Sequence, residues 1–141
     1  MNKLSNKLKE LMNNEVSAKD LQKYFNFSST SLIYKWINNN SMPSFLYLIK
    51  LADFFNVNID YLVGRTENFE QVKPKKLPNF STQFKKILKQ YNTNQYKLLK
   101  DKIISKGHLN SWLNLNNLPS TNNLIRLADY LKISIDELVG R

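Results

Sequence analysis

The chain has 141 residues, a net charge of +10 from 21 Lys and Arg against 11 Asp and Glu, no cysteine and a single histidine, His108. The length suits one domain of about 150 residues or two units of about 60, and the basic balance favours a polyanionic partner, either nucleic acid or an anionic membrane surface. A disulfide framework, thiolate or imidazole metal centres and a cysteine nucleophile are excluded; with no apolar run near the ~18 residues of a membrane span and no signal-peptide core, a soluble, cytoplasmic chain is expected.

Apolar spacing of three and four over Leu4, Leu8, Leu11 and Met12 predicts a first helix. Ser17, with Asp20 three residues on, predicts a capping box that starts the second. A third ends at Trp36 and the run Asn38-Asn39-Asn40. A fourth starts after Pro43 with Ser44 as N-cap and buries Leu48, Leu51, Ala52 and Phe55, and a fifth closes on Gly64 as a C-cap glycine. Residues 66 to 78 (TENFEQVKPKKLP) hold two prolines, five charges and no helical period, and are expected to be a linker. Beyond it Ser81, Thr93, Ser105, Ser120 and Ser134 are expected to precede five more helices, Ser134 forming a capping box with Glu137. No segment alternates with period two, so the fold class is all-α.

The second half repeats the first at an offset of 76. Pro43 to Arg65 aligns without a gap on Pro119 to Arg141, with 13 identities in 23 positions, and Trp36 falls on Trp112, Asn38 on Asn114 and Asn40 on Asn116. Two homologous five-helix domains are therefore expected, residues 1–65 and 79–141. Charge divides unevenly, at +3 for residues 1–66 (eight basic, five acidic), +1 for 67–78 and +6 for 79–141 (ten basic, four acidic).

A short helix, a tight turn, a helix ending in Trp, a Pro-Ser helix start seven residues later, and LIKLADFFNVNIDYLVG or LIRLADYLKISIDELVG together resemble the lambda-repressor-like (XRE/Cro-type) helix-turn-helix family. The resemblance covers both units and implies a DNA-binding domain whose third helix enters the major groove with its N-terminal residues on base edges. Three departures stand out. Family members often have Trp-Glu-x-Gly where this chain has Trp36-Ile37-Asn38-Asn39 and Trp112-Leu113-Asn114-Leu115, so the left-handed residue is expected at Asn39 and, since Leu takes that conformation at a cost, at Asn116. The first unit has one residue more between Leu21 and Trp36, around Asn26-Phe27-Ser28-Ser29. Lys102 stands where an apolar residue normally packs, leaving that role to Ile103 and Ile104.

The resemblance implies base-reading roles for Thr30, Ser31 and Tyr34 in the first unit and for Lys106, Gly107 and Asn110 in the second. Hydroxyls serve any base, Asn suits adenine, Lys suits guanine, and a glycine lets the helix approach closely. Gln95 matches the family's phosphate-contacting position; Lys35, Asn38, Asn39, Asn40, Lys97, Asn114 and Asn116 are further phosphate candidates. A merely solvated helix face is the competing reading for all of them. Trp36 and Trp112, at helical spacing from Ile33 and Leu109, are expected in the core rather than stacked on bases. His108 has no second ligand for a metal and no carboxylate pair for acid–base work, so catalytic, metal and cofactor sites are not expected.

Leu46, Tyr47, Phe54 and Tyr61 put apolar surface on the first unit where the second has Asn122 and Asn123 for the first two and Glu137 for Tyr61; they point to a homodimer or protein partner, or to cover from Phe69 and Val72 of the same chain. The expected function is sequence-specific binding of double-stranded DNA, most simply as a transcriptional repressor occupying an operator, as in the small phage or mobile-element repressors the chain resembles. A chain ending straight after the second unit is expected to hold no separate sensing domain. The alternative is a protein-binding module, antitoxin-like or an inhibitor of a nucleic-acid-handling protein, distinguished by whether affinity depends on salt and base sequence.

Overall fold

Leu4 and Leu8, one helical turn apart, are fully buried on α1 (Lys3–Met12), the first of ten helices that the computed structural model describes over residues 3–141. The chain divides into two units, one ending at Lys73 and one beginning at Pro74. The first holds α1, α2 (Ala18–Phe25), α3 (Ser31–Ile37), α4 (Phe45–Phe55) and α5 (Ile59–Leu62). The second repeats them as α6 (Phe80–Gln90), α7 (Gln95–Lys100), α8 (Lys106–Asn114), α9 (Thr121–Leu131) and α10 (Ile135–Val139). No β-strand occurs among the described residues, so the all-α, five-plus-five expectation holds.

Each unit closes around its tryptophan. Trp36 and Trp112 are buried, with Leu21, Ile33, Leu48, Leu51 and Ile59 in one core and Phe84, Ile87, Leu124, Leu127 and Ile135 in the other. Each such side chain contributes about 1.5–3 kcal/mol by leaving water, and the two tryptophans belong to the fold as expected.

Local polar chemistry sets the helix ends. Ser17 and Asp20 form the reciprocal capping box: Ser17 N–H donates to the Asp20 carboxylate at 2.8 Å and Asp20 N–H to Ser17 Oγ at 3.1 Å. Ser105, Ser120 and Ser134 cap α8, α9 and α10. Ser44 stands at the start of α4 in extended conformation but makes no side-chain cap. Two expected caps move by one or two residues. Asn79, not Ser81, caps α6, and Asn94, not Thr93, caps α7, because an Asn amide oxygen reaches the N–H three residues on as well as a hydroxyl does. Nor does Glu137 complete a box with Ser134, since its carboxylate accepts instead from the hydroxyl of Tyr91 and the amide of Gln90.

The left-handed stops fall where the departures from the family pattern place them. Asn39 and Asn116 have φ of 62° and 59°, whereas Leu115 keeps a negative φ of −105°. Lys102 turns left-handed and exposed at φ 55°, and Ile104 is the buried residue beyond it. In the first unit Asn26 (φ 60°) makes the equivalent stop, and Phe27 after it stacks on Phe25 at 5.0 Å and meets Tyr47 edge-on at 5.2 Å. Gly64 and Gly140, at φ 79° and 84°, turn the chain left-handed after α5 and α10; a Cβ there would lie 2.3 Å from Lys3 Cβ and 2.7 Å from Pro78 Cγ.

The segment expected as a linker is part of the first unit over its N-terminal half. Asn58 N–H donates to the Glu70 carbonyl at 3.0 Å, its amide donates to the Asn68 carbonyl at 3.1 Å, and its Oδ1 accepts from Glu70 N–H at 2.9 Å. Val72 N–H donates to Asn56, Val57 pairs with Gln71 in an antiparallel bridge, and Phe69 packs edge-on against Tyr61. Lys7 Nζ reaches the Glu67 carboxylate at 2.6 Å. Backbone pairing of this kind needs no helical period, which is why residues 66–72 look like a linker in the sequence. With Pro78 against Gly140, five residues, 73–77, join the two anchored ends.

Candidate nucleic-acid interface

The helix pairs α2–α3 and α7–α8 present the implied base-reading residues to solvent. Ile33 and Trp36 anchor one side of α3 in the core, which leaves Ser31, Tyr34 and Lys35 exposed on the other, with Thr30 half-exposed at the N-cap. Ser29 Oγ accepts from Ser31 N–H at 3.3 Å and donates to the Ser31 hydroxyl at 3.2 Å, a local arrangement that organises the first turn. In α8, Leu109, Trp112 and Leu113 face inward, while Lys106, Gly107 and Asn110 are exposed.

Gly107 has open space where a side chain would be, with no atom within 4 Å of an added Cβ. Packing within the unit therefore does not require glycine there, and the bare first turn leaves room for an approaching surface. Asn110 Oδ1 accepts from the Asn114 amide at 2.7 Å, which orients its carboxamide and leaves a lone pair and both N–H donors, the set needed at an adenine edge. His108 is exposed, with its ring parallel to that of Trp112 at 5.8 Å.

The phosphate candidates are all at the surface. Lys35 lies on α3, Asn38 is its C-cap, and Asn39 and Asn40 form the following turn. Gln95 opens α7, and Lys97 two residues on reaches the Asn92 carbonyl at 3.3 Å. Asn114 ends α8, whereas Asn116 is engaged by the Asn79 amide at 2.8 Å, leaving it less to offer a partner. Around α7 and α8 stand Lys97, Lys100, Lys102 and Lys106, all exposed. The carboxylate within this stretch, Asp101, accepts a hydrogen bond from the Tyr130 hydroxyl at 2.7 Å.

Two cationic positions beside α8 have no role in the sequence reading. Lys102 stands out in the sequence only as a packing anomaly, and Arg126 only as the repeat equivalent of Lys50; their approach to α8 depends on the tertiary fold. Of the four apolar residues offered as a contact surface, only Leu46 is strongly exposed, at 58%. Tyr47 sits among Phe25, Phe27 and Trp36, Phe54 against Tyr24 and Phe55, and Tyr61 under Phe69 with Lys7 Nζ 4.5 Å from its ring centre. These three are thus partnered within their own unit. No group of three metal-ligating side chains and no helix long and apolar enough to cross a membrane occurs among the described residues.

A family model described as helix-turn-helix matches the chain twice, over residues 8–62 and 84–138. Each match runs from within the first helix of a unit into its fifth and contains its exposed third helix. No curated protein and no solved structure matches the chain.

Proposed function

We propose that this chain, which belongs twice over to the lambda-repressor-like class of helix-turn-helix DNA-binding proteins, recognises a bipartite sequence in double-stranded DNA and represses transcription by occupying it. The observation that supports this most directly is the pairing of two equivalent helices, α3 and α8, each fastened by a buried tryptophan and each with an exposed polar face at its first turns. Thr30, Ser31 and Tyr34 read one half-site and Lys106, Gly107 and Asn110 the other; Gln95, Lys97, Lys35 and the exposed asparagines hold the backbone. The excess of positive charge on the second unit supplies most of the sequence-independent attraction.

The short connection makes spacing part of the recognition. Five residues between the anchored Val72 and Pro78 reach at most about 20 Å, counting about 3.5 Å per residue, so the connection limits how far apart the half-sites of one chain can lie. Selection of bound duplexes from a random library is expected to return two conserved blocks at constant spacing. Inserting about five base pairs, half a helical turn, should abolish tight binding. A Gly-Ser insertion after Lys75 should restore tolerance. A single block unaffected by deletion of residues 79–141 would overturn the bipartite reading.

A further inference from the structure

Beside the recognition helix of the second unit lies a solvent-open cavity of about 450 Å³, lined by the apolar Leu99, Ile103 and Ile104 and by the cationic Lys102, Lys106 and Arg126. In the first unit two aromatic rings take up part of the equivalent space, and the opening left beside them, about 400 Å³, includes the carboxylate of Asp20 in its lining. After its left-handed stop at Asn26 comes Phe27, whose ring meets that of Tyr47 from α4 at 5.2 Å and that of Trp36 at 6.2 Å. In the second unit the residue after the stop at Lys102 is Ile103, and the α9 residue in register with Tyr47 is Asn123. Two aromatic rings are replaced by a smaller aliphatic side chain and an amide, and the lining includes three cations, Lys102, Lys106 and Arg126, and no carboxylate.

We propose that this cavity binds a small phosphate ester carrying a flat heteroaromatic ring, of the class of the nucleoside monophosphates. Its volume lies in the range of small-molecule sites, about 300–1,000 Å³, and its make-up matches theirs, an apolar wall with a few convergent polar groups. The three cations meet the phosphate, Arg126 being able to do so with two parallel N–H bonds. Leu99, Ile103 and Ile104 face the flat ring. The His108 ring, held parallel to Trp112, adds an aromatic wall, and the Asn123 amide offers a donor and an acceptor to ring heteroatoms. A backbone phosphate of DNA shares the anionic chemistry but makes no use of the apolar wall. Lys106 belongs both to the cavity and to the base-reading turn, so an occupied cavity withdraws a DNA contact; this consequence alone rests on the DNA-binding reading.

Calorimetric titration of the full chain, without DNA, with each of the four nucleoside monophosphates, with inorganic phosphate and with the free nucleosides tests the assignment. At least one nucleotide is expected to bind saturably with one site per chain, at least tenfold more tightly than phosphate or its nucleoside, with amide shifts concentrated at residues 99–108 and 123–126. The double variant Ile103→Phe, Asn123→Tyr copies the packing of the first unit; it should fold and lose binding at least tenfold, as should Arg126→Gln. No saturable binding by any nucleotide, equal binding by inorganic phosphate, or undiminished binding by the filled variant overturns the proposal. So does a filled variant that loses DNA affinity when the wild type binds no nucleotide, which assigns the cavity to a DNA phosphate.

Discussion

The hydroxyl of Ser81 in α6 donates to the carbonyl oxygen of Leu113, 32 residues away at the end of α8, at 3.0 Å. Ser5 makes the same bond to Ile37 at the end of α3, again across 32 residues. A helix leaves its last carbonyls without intrahelical partners, and here the opening helix of each unit satisfies one of them, fixing the recognition helix from behind. Ser81→Ala and Ser5→Ala should each destabilise their own unit by about 1 kcal/mol, seen as a lower unfolding midpoint in calorimetry with DNA specificity intact. An unchanged midpoint in both would show that the bonds contribute nothing net.

Base contacts and phosphate contacts should separate in mutants. Asn110→Ala is expected to relax discrimination at one base pair of the second half-site, by about 1–3 kcal/mol, with little change in salt dependence. Lys97→Ala should weaken binding evenly across sequences and lower the slope of log affinity against log salt by about 1. Titrations at four salt concentrations against the selected site and a scrambled duplex measure both; identical profiles for the two variants would contradict the assignments.

The contact between Lys7 and Glu67 makes docking of residues 66–72 sensitive to pH. The hydrogen bond from Lys7 is the largest cause holding the Glu67 carboxyl below its ordinary value of 4.5, and the same bond raises Lys7 above 10.5. A depressed acid stabilises the fold above its unfolded-state value and loses that contribution as pH falls through the folded-state one; a raised base contributes fully below its unfolded-state value and loses that as pH rises through the folded-state one. The segment should stay docked at neutral pH and loosen once pH falls below 4.5. Hydrogen exchange at the Glu70 and Val72 amides, corrected for intrinsic rates, reads this directly. Glu67→Gln should flatten the acid limb.

Tyr47 tests how the first unit uses its extra aromatic surface. Packed among Phe25, Phe27 and Trp36, it should cost about 2 kcal/mol or more when cut to alanine, through the lost burial and the void left behind. Sedimentation of the wild type and of Leu46→Asn is expected to be the same at equal concentration. A shift to smaller species in Leu46→Asn would restore a role for that surface in association.

The repeat, the helices and the buried tryptophans are legible because 76-residue self-similarity and apolar spacing are local, countable signals. The cap shifts to Asn79 and Asn94 escape because Ser, Thr and Asn compete for one job within two residues. The docking of residues 66–72 rests on backbone pairing and on side chains far apart in sequence, Asn58 with Glu70 and Lys7 with Glu67, none of which leaves a periodic pattern. Tyr47 looks like surface because its partner Phe27 lies 20 residues away in a stretch without periodicity, whereas the cover of Tyr61 by Phe69 is the intramolecular alternative that the sequence offers. For the candidate DNA face, the sequence marks which positions on the helices point outward; the cavity beside α8 depends on α9 reaching the helix-turn-helix, which spacing alone does not show.

Among the described residues nine other than glycine hold a left-handed backbone, seven of them asparagines, in a chain with three glycines in all. The stop after α4 is Asn56 and its repeat equivalent after α9 is Lys132, with φ of 51° and 58°. Left-handed conformation costs an ordinary L-residue about 1–2 kcal/mol, asparagine less and glycine nothing. Lys132→Gly should accordingly raise the unfolding midpoint of the second unit by several degrees, and Asn56→Gly that of the first by less, while touching neither the core nor the exposed third helices. The protein thus holds an undrawn reserve of thermal tolerance in its turns, open to an engineer who wants a hardier binder with the same sequence preference.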